Sequence, residues 1–188
     1  MAVLNVHERT LGAAPEEVGA LLDGLGGADD RLWPPGWPPM RFEGPLAVGV
    51  CGGHGPVRYV VSHYVPGHWV RFRFTGPRGF EGFHEFAVEP PDERSDAADR
   101  SATRTVLRHT LVLRPRGVRW LGRRLFFRPL HDAVFRHALD CAERALTGRA
   151  ARPVTWSPYV RLLRAVTVRV APGLAGGVAP VADTGPKE

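Results

Sequence analysis

The chain is poor in cysteine, in lysine and in long apolar runs, and each shortage removes a class of protein. Cys51 and Cys141 are the only cysteines among 188 residues, and neither belongs to a CxxC pair. A disulfide scaffold and a Cys-rich metal site are therefore excluded, and two free thiols in a reducing compartment are expected. No run of about 18 apolar residues is available for a transmembrane helix. The opening MAVLNVHERT is too polar for a signal peptide, so the expected location is cytoplasmic. HExxH, GxSxG and Walker-type Lys-Ser/Thr motifs are all missing, which leaves no expectation of a metal, a cofactor or a nucleophilic enzyme. Lysine is reduced to Lys187. The net charge of +6 rests on arginines scattered along the chain, with Arg114, Arg116, Arg119, Arg123 and Arg124 the nearest approach to a cluster. Nucleic-acid binders concentrate such charge on one face or stripe, so no specific nucleic-acid partner is expected.

What is present suits one ordinary domain. Hydrophobic residues make up 44% and charged residues 23%, enough to bury a core without staples. Val3 to Thr10 alternates as a strand, with Leu4 and Val6 on one face and Asn5, His7 and Arg9 on the other. The alternation places Glu8 with Leu4 and Val6, on the face expected to point inward. Pro15-Glu16-Glu17 reads as a helix start, proline in the first turn and carboxylates at the positive end of the macrodipole. Asp29 to Leu32 is the candidate start of a second short helix. The segment Trp33-Pro34-Pro35-Gly36-Trp37-Pro38-Pro39 has too many prolines for helix or central strand. Its tryptophans pack from a rigid loop, either as a plug for the core or as the wall of a pocket.

Strand patterns follow at 46–50, 57–65, 68–75, 80–89 and 103–114, separated by short Gly/Pro turns and one long polar loop over 90–102. Consecutive strands on tight turns form an antiparallel meander. One face carries Val57, Tyr59, Val61, His63 and Val65, then Val70, Phe72 and Phe74, then His84 and Phe86, then Leu107, His109, Leu111 and Leu113. The other face is charged, as in a sheet covered on one side. Its cover is an amphipathic helix from about Pro129 to Gly148. Leu130, Val134, His137, Ala138, Cys141 and Ala145 form the apolar stripe, and Asp132, Arg136, Asp140, Glu143 and Arg144 the polar side. Residues 149–170 mix helical and strand spacing and are expected to dock on the domain itself, with a protein partner or a membrane surface as alternatives. Residues 171–188 are Gly/Ala/Pro-rich and expected to be disordered.

Several stretches carry a family likeness. They are Val6-His7-Glu8-Arg9 leading to Ala14-Pro15-Glu16-Glu17-Val18, then Gly52-Gly53-His54-Gly55-Pro56-Val57-Arg58-Tyr59, Tyr64-Val65-Pro66-Gly67, and Gly79-Phe80-Glu81-Gly82-Phe83-His84-Glu85-Phe86. With the helix after Pro129, they resemble the SRPBCC superfamily of START domains, polyketide cyclases and birch-pollen-allergen-like proteins, and in particular its actinobacterial members. The resemblance implies an α+β helix-grip fold over residues 1–148. In it a curved antiparallel sheet wraps a long C-terminal helix, with one or two short helices after the first strand and a cavity between sheet and helix.

The polar side chains on the apolar face are the candidate site. His84 and His109 lie opposite one another if the hairpin through 90–102 is symmetric. Two imidazoles that close could share a hydrogen bond, bind a carbonyl or phenol, or act as acid and base. The plainer reading makes each a satisfied core histidine. Tyr59, Val61, His63, Val70, Phe72, Phe74, Phe86, Leu107, Leu111, Val134 and His137 complete the expected lining. Three functions stay open: a binder of a hydrophobic, aromatic or polycyclic molecule; a cyclase or dehydratase using His84 and His109 as acid/base; and a protein-interaction module working through Trp156–Val170.

Overall fold

The computed structural model describes residues 3–90, 104–115 and 123–174. The loop expected over 90–102 lies outside them beyond Pro90, and so does the tail after Leu174. Seven strands form one antiparallel sheet: β1 (Val3–Leu11), β2 (Arg41–Phe42), β3 (Cys51–His54), β4 (Val57–Val65), β5 (Trp69–Gly76), β6 (Phe80–Glu89) and β7 (Thr105–Pro115). Their spatial order is β1-β7-β6-β5-β4-β3-β2, so the meander is intact and the first strand returns to pair with the last. Helix α1 (Pro15–Asp23) follows β1. Helix α2 (Arg128–Thr147) fills the concave side, and α3 (Pro158–Leu174) closes the chain.

Local chemistry explains most boundaries. In α1 the Glu17 carboxylate accepts from the Ala14 N–H, covering a donor that the helix start leaves open. Gly148 ends α2 in the left-handed conformation, φ 80°, with its N–H on the Arg144 carbonyl. A π-helical turn, Arg123–Phe127, leads into α2, and Pro129 lies in the first turn, where its missing N–H costs no helix bond.

Several expectations change. Residues 46–50 are not a strand. The second sheet edge is built instead from Arg41–Phe42 and Cys51–His54, so Gly52 and Gly53 sit within a ladder rather than in a bend. The glycines are needed there because a Cβ on Gly52 would lie 2.5 Å from the Phe42 ring. Asp29–Leu32 forms no helix. The Asp30 carboxylate instead accepts from the N–H groups of Gly26, Leu32 and Trp33 and so fixes the entry to the Trp/Pro loop. The ambiguous segment after Gly148 is irregular to Ser157 and helical from Pro158, and α3 runs to Leu174, into the stretch expected to be disordered.

The faces of β1 are the largest correction. Leu4 and Val6 are exposed, at 68% and 44%, and Glu8 points outward to Arg108. Asn5, His7 and Arg9 turn toward α2. There Asn5 and His7 meet Asp132, and Arg9 pairs with Asp140 and Glu143. Alternation tells which residues share a face, and the three carboxylates on the helix decide which face is turned inward. Asp140, expected on the polar outer side, is accordingly only 1% exposed. It accepts both from Arg9 and from the Val154 N–H.

Helix α1 meets the β4–β5 turn by backbone approach. The Asp23 carboxylate takes the Gly67 N–H and the Tyr64 hydroxyl, at 2.8 and 2.9 Å. A Cβ on Gly19 would stand 2.3 Å from the Gly67 carbonyl oxygen. Backbone on both sides leaves no flexible side chain to yield. Gly19→Ala is expected to lower stability by about 1–3 kcal/mol in urea denaturation. Gly12→Ala, where a Cβ meets nothing within 4 Å, serves as the control. Equal stabilities of the two variants would contradict this packing.

Candidate functional site

A cavity of about 120 Å³ opens at one end of the grip. Its floor is sheet: His54 at the end of β3, Val57 on β4, Phe74 on β5 and His84 on β6. Leu130, His131, Val134 and Phe135 on α2 form one wall, with Phe127 from the π-helical turn. Trp33, Trp37 and Pro38 form the other, and Thr167 of α3 completes it. Both readings of the Trp/Pro loop meet here: Trp33 and Trp37 are buried in the core cluster and also wall the cavity.

The loop is held firmly. The Trp33 indole donates to the Pro38 carbonyl and the Trp37 indole to His137 Nδ1, at 3.0 and 3.3 Å. Arg164 on α3 bonds the Gly36 carbonyl and lies over the rings of Trp37 and Trp156, 5.6 and 4.8 Å from their centres. Such cation–π contacts add to hydrogen bonding where water is excluded. They tie α3 across the cavity, which places residues 158–167 on the domain's own surface.

The expected site residues are not all brought together. His84, Phe74 and Val134 line the cavity. Val61, Val70, Phe72, Phe86, Leu107 and Leu111 are buried in the core away from it. Tyr59 is fully buried behind two lining residues, its hydroxyl 3.4 Å from His54 Nδ1 and its ring 5.2 Å from that of His84. His137 lies beneath Trp37 and beside Trp156 rather than across from the sheet. His63 is a correction. The β4–β5 register slips between Val61 and His63, which turns the strand over, and the ring lies exposed against Trp69.

The pairing of His84 with His109 is also corrected. The register sets His84 against Leu111 and Phe86 against His109, so the two histidines are diagonal neighbours. They still meet: His109 Nε2 lies 3.4 Å from His84 Nδ1, a long hydrogen bond. His109 does not line the cavity. It is stacked on Phe135, with ring centres 3.4 Å apart. His84 Nε2 and His109 Nδ1 are buried without a partner.

Burial dominates the electrostatics. It holds His84 and His109 well below the usual imidazole pKa, and the neighbouring imidazoles add to the effect. Burial, then Arg58, lowers His54 to about 4. Burial, with His7 adding to it, lowers His131 to about 3. At neutral pH the cavity's imidazoles, His54 and His84 on the floor and His131 in the wall, are uncharged, each with one donor and one acceptor nitrogen.

Sequence reasoning passed over His54 and His131. His54 sits in a Gly-rich stretch that reads as a turn and carries no alternation. His131 had a usable signal, because it stands four residues before Phe135 and seven before Ala138, on one helical face.

No family model matches the sequence, and no curated protein matches it. Solved structures do. The crystal structure of CalU16 from Micromonospora echinospora is 12% identical, over 94% of this chain and 90% of that one, with a TM-score of 0.54. A Thermobifida fusca protein solved by NMR is also 12% identical, over 82% and 99%, with a TM-score of 0.58. A START superfamily protein from Mycobacterium smegmatis is 9% identical, over 77% and 97%, at 0.51. The chain therefore shares the helix-grip fold of these structures, the fold that the resemblance implied. At such identities the likeness extends to the fold alone. No described helix is long and apolar enough to cross a membrane.

The buried imidazoles make stability depend on pH. His84 and His109 bind protons in the unfolded chain below about pH 6.5 but resist them when folded. Their contribution is complete above that pH and is lost as the pH falls. These two protons alone give a fall on the order of 3 kcal/mol per pH unit near pH 5, and the buried His54 and His131, at about 4 and about 3, steepen it. Urea denaturation at a series of pH values measures this slope, and a flat profile from pH 7 to 5 would contradict the burial of both rings.

Proposed function

We propose that this domain binds a small aromatic molecule carrying one polar substituent, and that it does so without turning it over. The observation that carries the reading is a cavity of about 120 Å³, walled by Trp33, Trp37, Phe74, Phe127 and Phe135 and offering His84 at its floor. Dry apolar cavities of about 150 Å³ accept benzene, so this volume suits one ring better than several fused rings. Edge and face contacts with the surrounding aromatics supply affinity. The unpartnered His84 Nε2 supplies orientation. If His109 donates to His84 Nδ1, then His84 Nε2 carries a proton and donates. If the shared bond runs the other way, it accepts. The same floor thus suits a phenol or a carbonyl.

The cyclase reading receives less support. A general acid or base works best with a pKa near the operating pH, and burial drives both candidate histidines far below it. His109, the proposed second member, lies behind Phe135 and Phe86.

Tryptophan fluorescence provides the test, since Trp33 and Trp37 both face the guest. Titration with phenol and with toluene should give saturable quenching. Phenol should bind about 5-fold more tightly, the worth of one net hydrogen bond. Val134→Phe should fill the cavity and abolish the quenching while the circular dichroism spectrum is kept. Equal affinities for the two probes would remove His84 from the reading, and no saturable response to either would overturn it.

A further inference from the structure

A second cluster of histidines lies where β1 crosses the start of α2, and none of its members was expected to form a site. His7 Nε2 stands 3.1 Å from Asp132 Oδ1. His131, the residue before Asp132, brings its imidazole to the same place, so that one ligand atom from each of the three lies within 4.8 Å of the others. We propose that His7, His131 and Asp132 bind a divalent first-row transition-metal ion of the zinc kind.

The donor set suits that class of ion. Imidazole nitrogen and carboxylate oxygen are favoured by zinc, iron, nickel and copper, whereas calcium and magnesium favour all-oxygen cages. With metal–ligand bonds of about 2.0–2.1 Å, two donors of a tetrahedral site are about 3.3 Å apart. The His7–Asp132 separation already matches this. His131 must close the rest of the distance, and no hydrogen bond holds its ring in place. Both of its ring nitrogens are buried without a hydrogen-bond partner, so rotation toward an ion breaks no bond. It is only 7% exposed, packed against Phe127 and Phe135 at 5.3 and 4.5 Å between ring centres. An imidazole with two unmet nitrogens in an aromatic setting is costly unless something meets it.

The surroundings fit as well. Asn5 Nδ2 donates to Asp132 Oδ1 at 2.6 Å, the kind of outer partner that aims a ligating carboxylate. Among the described residues Arg128 sets a positive charge against the site, with its Nε 3.8 Å from Asp132 Oδ2. Its side chain is 66% exposed and able to swing away. Three protein ligands leave a coordination position for water or a guest. His131 also lines the cavity, so an ion bound here sits beside it. The metal site does not depend on the cavity's taking an aromatic guest, and its readout is separate.

Cobalt(II) is the probe, added to the untagged full-length protein. One equivalent should produce visible d–d absorption that zinc displaces, and zinc should raise the melting temperature. His7→Gln and His131→Leu should each weaken cobalt binding on the order of 100-fold or more, and Asn5→Ala about 10-fold. His63→Gln and His68→Gln, both at exposed positions, should leave it unchanged. A purely structural tie between β1 and α2 would lower the stability of the Asn5 and His7 variants without any cobalt spectrum in the parent. An absent band, or a band unaffected in both His7→Gln and His131→Leu, would overturn the proposal. Asn5→Ala, which keeps all three ligands, decides the matter if the ligand variants fail to fold.

Discussion

Phe135 is where helix and sheet become one body. Its ring stacks on His109 of β7, lies 5.7 Å from Phe86 and 6.1 Å from His84 of β6, and meets Trp33 edge-on from the Trp/Pro loop. A buried phenylalanine of this kind is worth about 3–5 kcal/mol against alanine. Its larger effect is geometric, since one side chain sets the height of α2 above the concave sheet. That height leaves space on the side of Trp37 and Phe74 and fills it on the side of Leu107 and Leu111. The cavity is thus displaced to one end of the grip by the packing at its centre.

A second set of contacts fixes α2 lengthwise. Asn5, His7 and Arg9 form a ladder along β1, and Asp132, Asp140 and Glu143 form its counterpart on the helix. Successive inward residues of a strand are about 6.8 Å apart, and Asp132 and Asp140 are about 12 Å apart along the helix. The two periods need not match. Asn5 and His7 therefore converge on one carboxylate, while Arg9 spans two. The edge strand pays for polar inward residues with exposed Leu4 and Val6, and gains a defined helix position. The same convergence brings His7 beside His131 and creates the donor set proposed for a metal ion.

Together these contacts account for the character of the site. Aromatic rings from sheet, loop and helix exclude water, and exclusion of water removes charge from the imidazoles between them. A row of neutral histidines in an apolar cavity binds better than it transfers protons. Helix α3, fastened through Arg164 to Gly36 and the tryptophans, completes the wall.

The helix grip was legible because it depends on local chemistry: alternation in β4 to β7, Gly/Pro turns, and the stripe of α2 ending at Gly148. These patterns act over a few residues and are written into any short window of the chain. Within the site, His84, Phe74 and Val134 were readable for the same reason. What the sequence could not fix were relations between distant segments. The slip between Val61 and His63 depends on β5, and the two-residue offset of His84 from His109 depends on a hairpin whose loop length does not set its register. The inward turn of His7 depends on carboxylates 125 residues away. The sequence by itself determined which residues share a face. Only the tertiary structure decided which face is buried and which side chains meet there, because both are set by the packing of complete elements against one another.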